Sequence, residues 1–204
     1  IRLPHAPLYA PRRFFERHPE KRVELPVIRE DDLADLPPAG LQITRYMHNT
    51  PLNHKSVLAS GNWRNAVAAY LACTEFVDHC VGVMLDALDA SAHAKDTVVV
   101  LWSDHGWHLG EKQHWRKFTL WERSTRTPVM FVVPKGISKT LAAGTKAGTR
   151  VDTPVGLIDL YPTLIDLCGL GENQALEGDS LVPLLGNPKA KWNRPALTTH
   201  GRKN

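Results

Sequence analysis

The order of apolar segments along the 204 residues predicts an α/β fold with a largely parallel sheet. A long amphipathic stretch from Asn62 to about Ala90 precedes two short, continuous apolar runs, Asp96–Ser103 and Thr127–Pro134. A third apolar segment, residues 154–170, has the length and the Gly169 stop of a helix. Helix, strand, helix, strand, helix is the alternation that a sheet flanked by helices produces.

Each element has its own signal. Residues 1–61 are rich in Pro and charge, and Pro restricts both itself and the residue before it. They are expected to form an extended segment lying over a larger body, with residues 62–204 forming the α/β portion. In the following stretch Val67, Leu71, Thr74, Val81, Leu85 and Leu88 recur at helical spacing, with Asn62 as the cap. "DTVVVLWS" is continuous and β-branched, which predicts a strand buried on both faces. "KFTLWERST" has the composition of a short helix, and "TPVMFVVP" reads as the second strand.

Composition excludes several functions. The net charge of +4 is spread along the chain, and the tightest basic groups are pairs such as Arg12-Arg13 and Lys21-Arg22. No nucleic-acid face is expected from that distribution. No apolar run approaches the roughly 18–20 residues of a membrane span. Cys73, Cys80 and Cys168 form no CxxC pair, so a disulfide scaffold is not expected, and the first two read as core residues on one helix face. The chain opens at Ile1 without an initiator Met and reads as the interior of something longer.

Polar and aromatic residues crowd the end of the first strand, in "VVVLWSDHGWHLGEKQHWRKF". Ligands of open α/β sheets sit beyond the carboxyl ends of strands, where Ser103, Asp104, His105 and Gly106 fall. A turn at Gly106 allows Asp104 and His105 to face one cavity, and a carboxylate and a neutral imidazole are both metal ligands. The same four residues also read as a strand-end Asp capping the next turn beside a solvent-facing His. Lys117 suits the oxygens of a sulfate or phosphate group. Trp107 and Trp115 read as pocket walls that exclude water. His108, His114, Lys112 and Arg116 read as rim or surface, His5 between its prolines as a loop residue, and Asp31-Asp32 as a solvated pair.

Together these motifs resemble the arylsulfatase family of the alkaline-phosphatase-like superfamily, and within it the iduronate-sulfatase-like and choline-sulfatase-like branches. The family pattern is a buried strand, Ser-Asp-His-Gly, Trp-x-Leu-Gly-Glu, a Lys, then a Pro-started strand, and Val98–Pro134 contains each part. "VDTPVGLIDLYPTLIDLCGL" and "LEGDSLVPLLG" are similar to the family's later helix and turn, and "PHAPLYAPRRFF" to its Pro-His-x-Pro segment. The resemblance implies an alkaline-phosphatase-like fold, present only in part, over residues 1–204. It implies Asp104 and His105 as ligands of a divalent cation, usually Ca2+, completed by upstream carboxylates. It also implies Lys117 on the sulfate, and His5 as the active-site His that touches the ester and assists proton transfer. The implied partner is a small anionic sulfate ester, in these branches a sulfated glycan or choline sulfate. The implied location is periplasmic or secreted.

The family's nucleophile is formylglycine, made from Cys or Ser in a Cys/Ser-x-Pro-x-Arg motif, and no such motif occurs in the chain. By resemblance it belongs upstream, as do the remaining metal carboxylates. The expectation is therefore a middle-to-late fragment of a sulfuric ester hydrolase, inactive and poorly stable alone because its sheet edges are unpaired. The alternatives are a phosphonate or phosphate ester hydrolase of the same superfamily, or a non-catalytic remnant.

Overall fold

The computed structural model describes residues 3–45, 53–138, 146–171 and 175–200. In chain order the helices are α1 (Arg12–Arg17), α2 (Pro38–Arg45), α3 (His54–Ala59), α4 (Trp63–Asp89), α5 (Glu122–Thr125), α6 (Lys135–Ser138), α7 (Leu160–Cys168) and α8 (Val182–Gly186). The strands are β1 (Val99–Trp102), β2 (His108–Leu109), β3 (Trp115–Arg116) and β4 (Val129–Val132). The chain divides into two compact units, one of residues 1–88, 105–126 and 200–204, the other of residues 89–104 and 127–199.

The first unit is built on α4, whose predicted span of Asn62 to about Ala90 matches the observed Trp63–Asp89. Its buried stripe is Val67, Ala68, Ala72 and Cys73. Val67 and Ala68 join Val23, Val57 and Trp115 in one apolar cluster, with Trp63, Leu25 and Leu109 packed against it. Phe14 of α1 is buried and meets the rings of Phe76 and His79 at 5.2 and 5.7 Å. Beside it Arg17 and His18 pair with Glu75, and the Arg17 guanidinium leads in holding that carboxyl below its usual range. By length and composition α4 could cross a membrane, a property that scanning for uninterrupted apolar runs overlooked. Val67 and Ala68 of α4 join the apolar cluster and Glu75 is ion-paired, while Val83, Met84 and Leu85 farther along the helix are exposed.

Residues 1–61 are less extended than their Pro content suggests. They contain α1, α2 and α3, while residues 1–2 and 46–52 lie outside the described set. Pro11 and Pro37 stand just before helices, where a missing N–H costs nothing. Asn53 caps α3 by accepting from the Ser56 N–H at 2.8 Å.

In the second unit β1 pairs with β4, and the pairing is antiparallel, with Val99 opposite Val132 and Trp102 opposite Val129. The expected sheet was largely parallel. This pair is antiparallel because the connection between its strands holds the β2–β3 hairpin and a single-turn α5, with no crossover helix to return the chain to the same edge. One face of the pair, with Val100, Val129 and Phe131, packs on Leu160, Leu181 and Leu184. The other carries Leu101, Met130 at 51% exposure and Val132 at 61%, so β1 is not buried on both faces. Outside the helix stop, α7 is tied by polar staples. Asp159 accepts from the N–H groups of Gly156 (2.9 Å) and Asp179 (3.0 Å). The Thr163 hydroxyl donates to Asp159 O at 2.6 Å and accepts from the Leu181 N–H at 2.8 Å. The stop at Gly169 is as expected: φ is +64°, and the Leu170 N–H bonds back to Ile165 O at 3.0 Å. Cys73, Cys80 and Cys168 are all free thiols, and only Cys73 is buried, which pushes its thiol pKa up.

Candidate active site

The loop after β1 folds back as the β2–β3 hairpin, with His108 opposite Arg116 and Leu109 opposite Trp115. Gly106 begins it. The turn itself does not demand glycine, because φ there is not positive. Close approach does: a Cβ on Gly106 would lie 2.0 Å from the Arg123 carbonyl oxygen, while its N–H donates to Ser124 O at 2.8 Å.

Within the first unit the hairpin brings two of the expected residues together. Lys117 Nζ lies 2.8 Å from His105 Nε2. His105 Nδ1 lies 2.8 Å from Gly106 O, so Nδ1 carries the proton and Nε2 offers its lone pair to the ammonium. Phe118 flanks Lys117, its ring centroid 5.6 Å from Nζ, and His200 meets the Phe118 ring at 6.3 Å. His5, between two cis X-Pro bonds, is held edge-on against Trp107 at 6.1 Å, and Tyr70 stacks on Trp107 at 5.9 Å. Burial, with Glu111 next in weight, raises the Tyr70 phenol above its usual pKa. Asp104 is solvent-exposed and immediately precedes His105 in the chain.

Among the described residues no group of three or more His, Cys, Asp and Glu could enclose a metal ion. His105 Nε2 is the kind of donor a metal takes, with Nδ1 anchored on the Gly106 carbonyl. In this structure, however, that lone pair accepts from Lys117 Nζ, so a cation bound there would displace the lysine.

Several neighbours differ from their sequence reading. Trp115 is a core residue, not a pocket wall, because it joins the Val23–Val67 cluster. His108 and His114 are not on the rim but 0% and 2% exposed. Their rings meet edge to face at 5.3 Å, and both bond inward. His108 reaches Glu111 O at 3.1 Å and Thr119 Oγ1 at 3.0 Å. His114 reaches Lys117 O at 2.8 Å. Asp32 is not solvated either: it pairs with Lys112 Nζ at 2.7 Å, whereas Asp31 stays on the surface with Arg29. Arg116 is half-buried, its Nε has no hydrogen-bond partner, and burial lowers its pKa. Sequence reasoning also passed over Tyr70, whose place on the α4 stripe gives no sign that it packs on Trp107.

His108 makes stability depend on pH. Burial first, then the neighbouring His114, pushes its pKa from 6.5 down to about 4. Between those values the unfolded chain binds a proton that the folded protein does not. Stability is therefore fully present above about pH 6.5 and falls by about 3 kcal/mol as pH drops to 4. Urea unfolding at pH 7, 5.5 and 4 should show a shallower decline in His108→Gln than in the native chain. Parallel declines would contradict this account of His108.

Solved structures similar to this one define the class. A phosphonate monoester hydrolase from Silicibacter pomeroyi superposes with a TM-score of 0.74 at 27% identity, covering 94% of this chain and 37% of that one. A protein solved in complex with its substrate D-glucosamine-2-N,6-O-disulfate superposes at 0.58 and 25% identity, covering 82% and 36%. The fold is alkaline-phosphatase-like, represented in part.

Within that class the chain belongs to the sulfatase family, whose model matches residues 2–170. A sulfatase of Formosa agariphila is 39% identical over 203 residues, 98% of this chain and 38% of the relative. The choline-sulfatase of Rhizobium meliloti is 30% identical over 185 residues, 89% of this chain and 33% of the relative. The chain thus covers between a third and two fifths of the length of these two relatives.

Proposed function

We propose that the chain is part of a sulfuric ester hydrolase that cleaves sulfate monoesters, with sulfated carbohydrate as the substrate class. The observation that carries this reading is Lys117 Nζ held 2.8 Å from His105 on the loop after β1, within the matched segment. A lysine fixed there donates to sulfate oxygens and offsets the charge that grows on them as the ester bond breaks. By resemblance Asp104 and His105 would hold a divalent cation, proposed as Ca2+, which would supply positive charge for the same oxygens. Lys117 Nζ would then exchange its contact with His105 Nε2 for the sulfate. His5, oriented by Trp107, stands to pass a proton toward the departing oxygen. Support for a carbohydrate comes from the structural neighbour whose substrate is a disulfated glucosamine.

The chain has no Cys/Ser-x-Pro-x-Arg sequence, so the nucleophile is assigned to a preceding segment and the 204 residues alone are expected to be inactive. The exposed Leu101–Met130–Val132 face is consistent with poor stability in isolation. A second reading, a phosphonate ester hydrolase, is favoured by the Silicibacter pomeroyi likeness. Reading the gene upstream of the Ile1 codon separates them. An in-frame Cys-x-Pro-x-Arg supports the sulfatase, a Thr or Ser outside such a motif supports phosphatase chemistry, and an interrupted frame a remnant.

A further inference from the structure

The hairpin that carries Lys117 holds four non-glycine residues in the left-handed region: Lys112 (φ 56°), Gln113 (φ 50°), Arg116 (φ 69°) and Phe118 (φ 71°). L residues stay in that region only where surrounding contacts determine it, and such strain gathers at functional sites. Lys117 lies between two of them. The direction of its side chain therefore depends on what holds the backbone at 116–118.

One side chain reaches that backbone from inside. His114 Nε2–H donates to the Lys117 carbonyl at 2.8 Å. His114 is itself fixed by its main chain, which accepts from the Gly110 N–H at 3.0 Å and donates to Glu111 O at 3.1 Å. Its ring abuts His108, which is anchored on Glu111 O and Thr119. From outside, Lys112 pairs with Asp32, and the Gln113 amide donates to Glu30 O at 2.7 Å. These outer contacts hold the tip of the hairpin; His114 reaches the main chain of residue 117 itself.

We infer that His114 is a positioning residue for Lys117: its bond to the Lys117 carbonyl sets the backbone from which Nζ reaches His105 and the sulfate oxygens. The inference rests on the sulfate-site reading of Lys117.

The test uses the complete product of the gene and an aryl sulfate. His114→Ala is expected to lower kcat/KM by about 10- to 100-fold, the usual cost of losing an outer supporting contact. His114→Gln, whose amide N–H can reach the same carbonyl, should recover most of it. The double variant with Lys117→Ala should be no slower than Lys117→Ala alone, because both changes remove one device. If His114→Ala does not fold, His114→Asn, which is too short to reach, takes its place. Native kcat/KM in the Ala or Asn variant, no recovery in His114→Gln, or full additivity in the double variant would overturn the inference. Native activity in Lys117→Ala would instead sink the sulfate-site reading, and this inference with it.

Discussion

Lys117→Ala, made in the complete product of the gene, is expected to lower kcat/KM for an aryl sulfate by about 10²- to 10³-fold, the usual loss when one fixed donor to a developing anion is removed. Nζ sits 2.8 Å from His105 Nε2 and beside the Phe118 ring, and under the proposed reading it is the donor that meets the sulfate oxygens. The loss should fall on kcat more than on KM if the lysine contacts the ester more strongly at the transition state than in the bound ground state. Lys117→Arg should not restore activity, because a planar guanidinium cannot take the ammonium's place against the imidazole lone pair. Near-native kcat/KM in Lys117→Ala would remove the lysine from the site.

Gly106→Ala is expected to be the most damaging single methyl group in the first unit. The new Cβ would lie 2.0 Å from the Arg123 carbonyl oxygen and 2.9 Å from its carbon. Both are backbone atoms, which cannot rotate away as a side chain would. Relief requires α5 or the loop to shift, which breaks the Gly106 N–H bond to Ser124 O. We expect destabilisation of about 3 kcal/mol in urea unfolding, at the upper end for overpacking. Activity should fall as well, since the displaced residue directly follows His105. Gly82→Ala in α4 is the control: a Cβ there meets nothing within 4 Å, so the change should be neutral or stabilising. A Gly106→Ala chain as stable as the native one would show that the hairpin and α5 are not in close contact.

Features that depend on local spacing were legible in the sequence. Helical spacing delimits α4 within a residue or two but not its buried face: of the stripe read from the sequence Val67 is buried, while Leu71, Thr74 and Leu85 are exposed. Gly169 ends α7 where a left-handed residue is required. Asp104, His105 and Lys117 are singled out by the resemblance, since the four residues Ser103–Gly106 read equally as a capping Asp beside a solvent-facing His. Long-range pairing was not legible. The Asp32–Lys112 contact joins residues 80 apart, and no local pattern marks Asp32 as different from Asp31. His108 and His114 looked like rim residues because histidine is polar. Their burial is possible only because each ring finds inward partners, Glu111 O and Thr119 for one and Lys117 O for the other. The direction of β4 was also hidden, since a continuous apolar run fits a parallel or an antiparallel neighbour equally.

The central claim is that the loop from Asp104 to Lys117 serves a sulfate ester. It is tested most directly by steady-state turnover of 4-nitrophenyl sulfate and of a phenylphosphonate monoester by the complete product of the gene. The account predicts that kcat/KM for the sulfate exceeds that for the phosphonate by at least about tenfold, a difference of about 1.4 kcal/mol in transition-state stabilisation. A preference for the phosphonate, or turnover of neither, would contradict it.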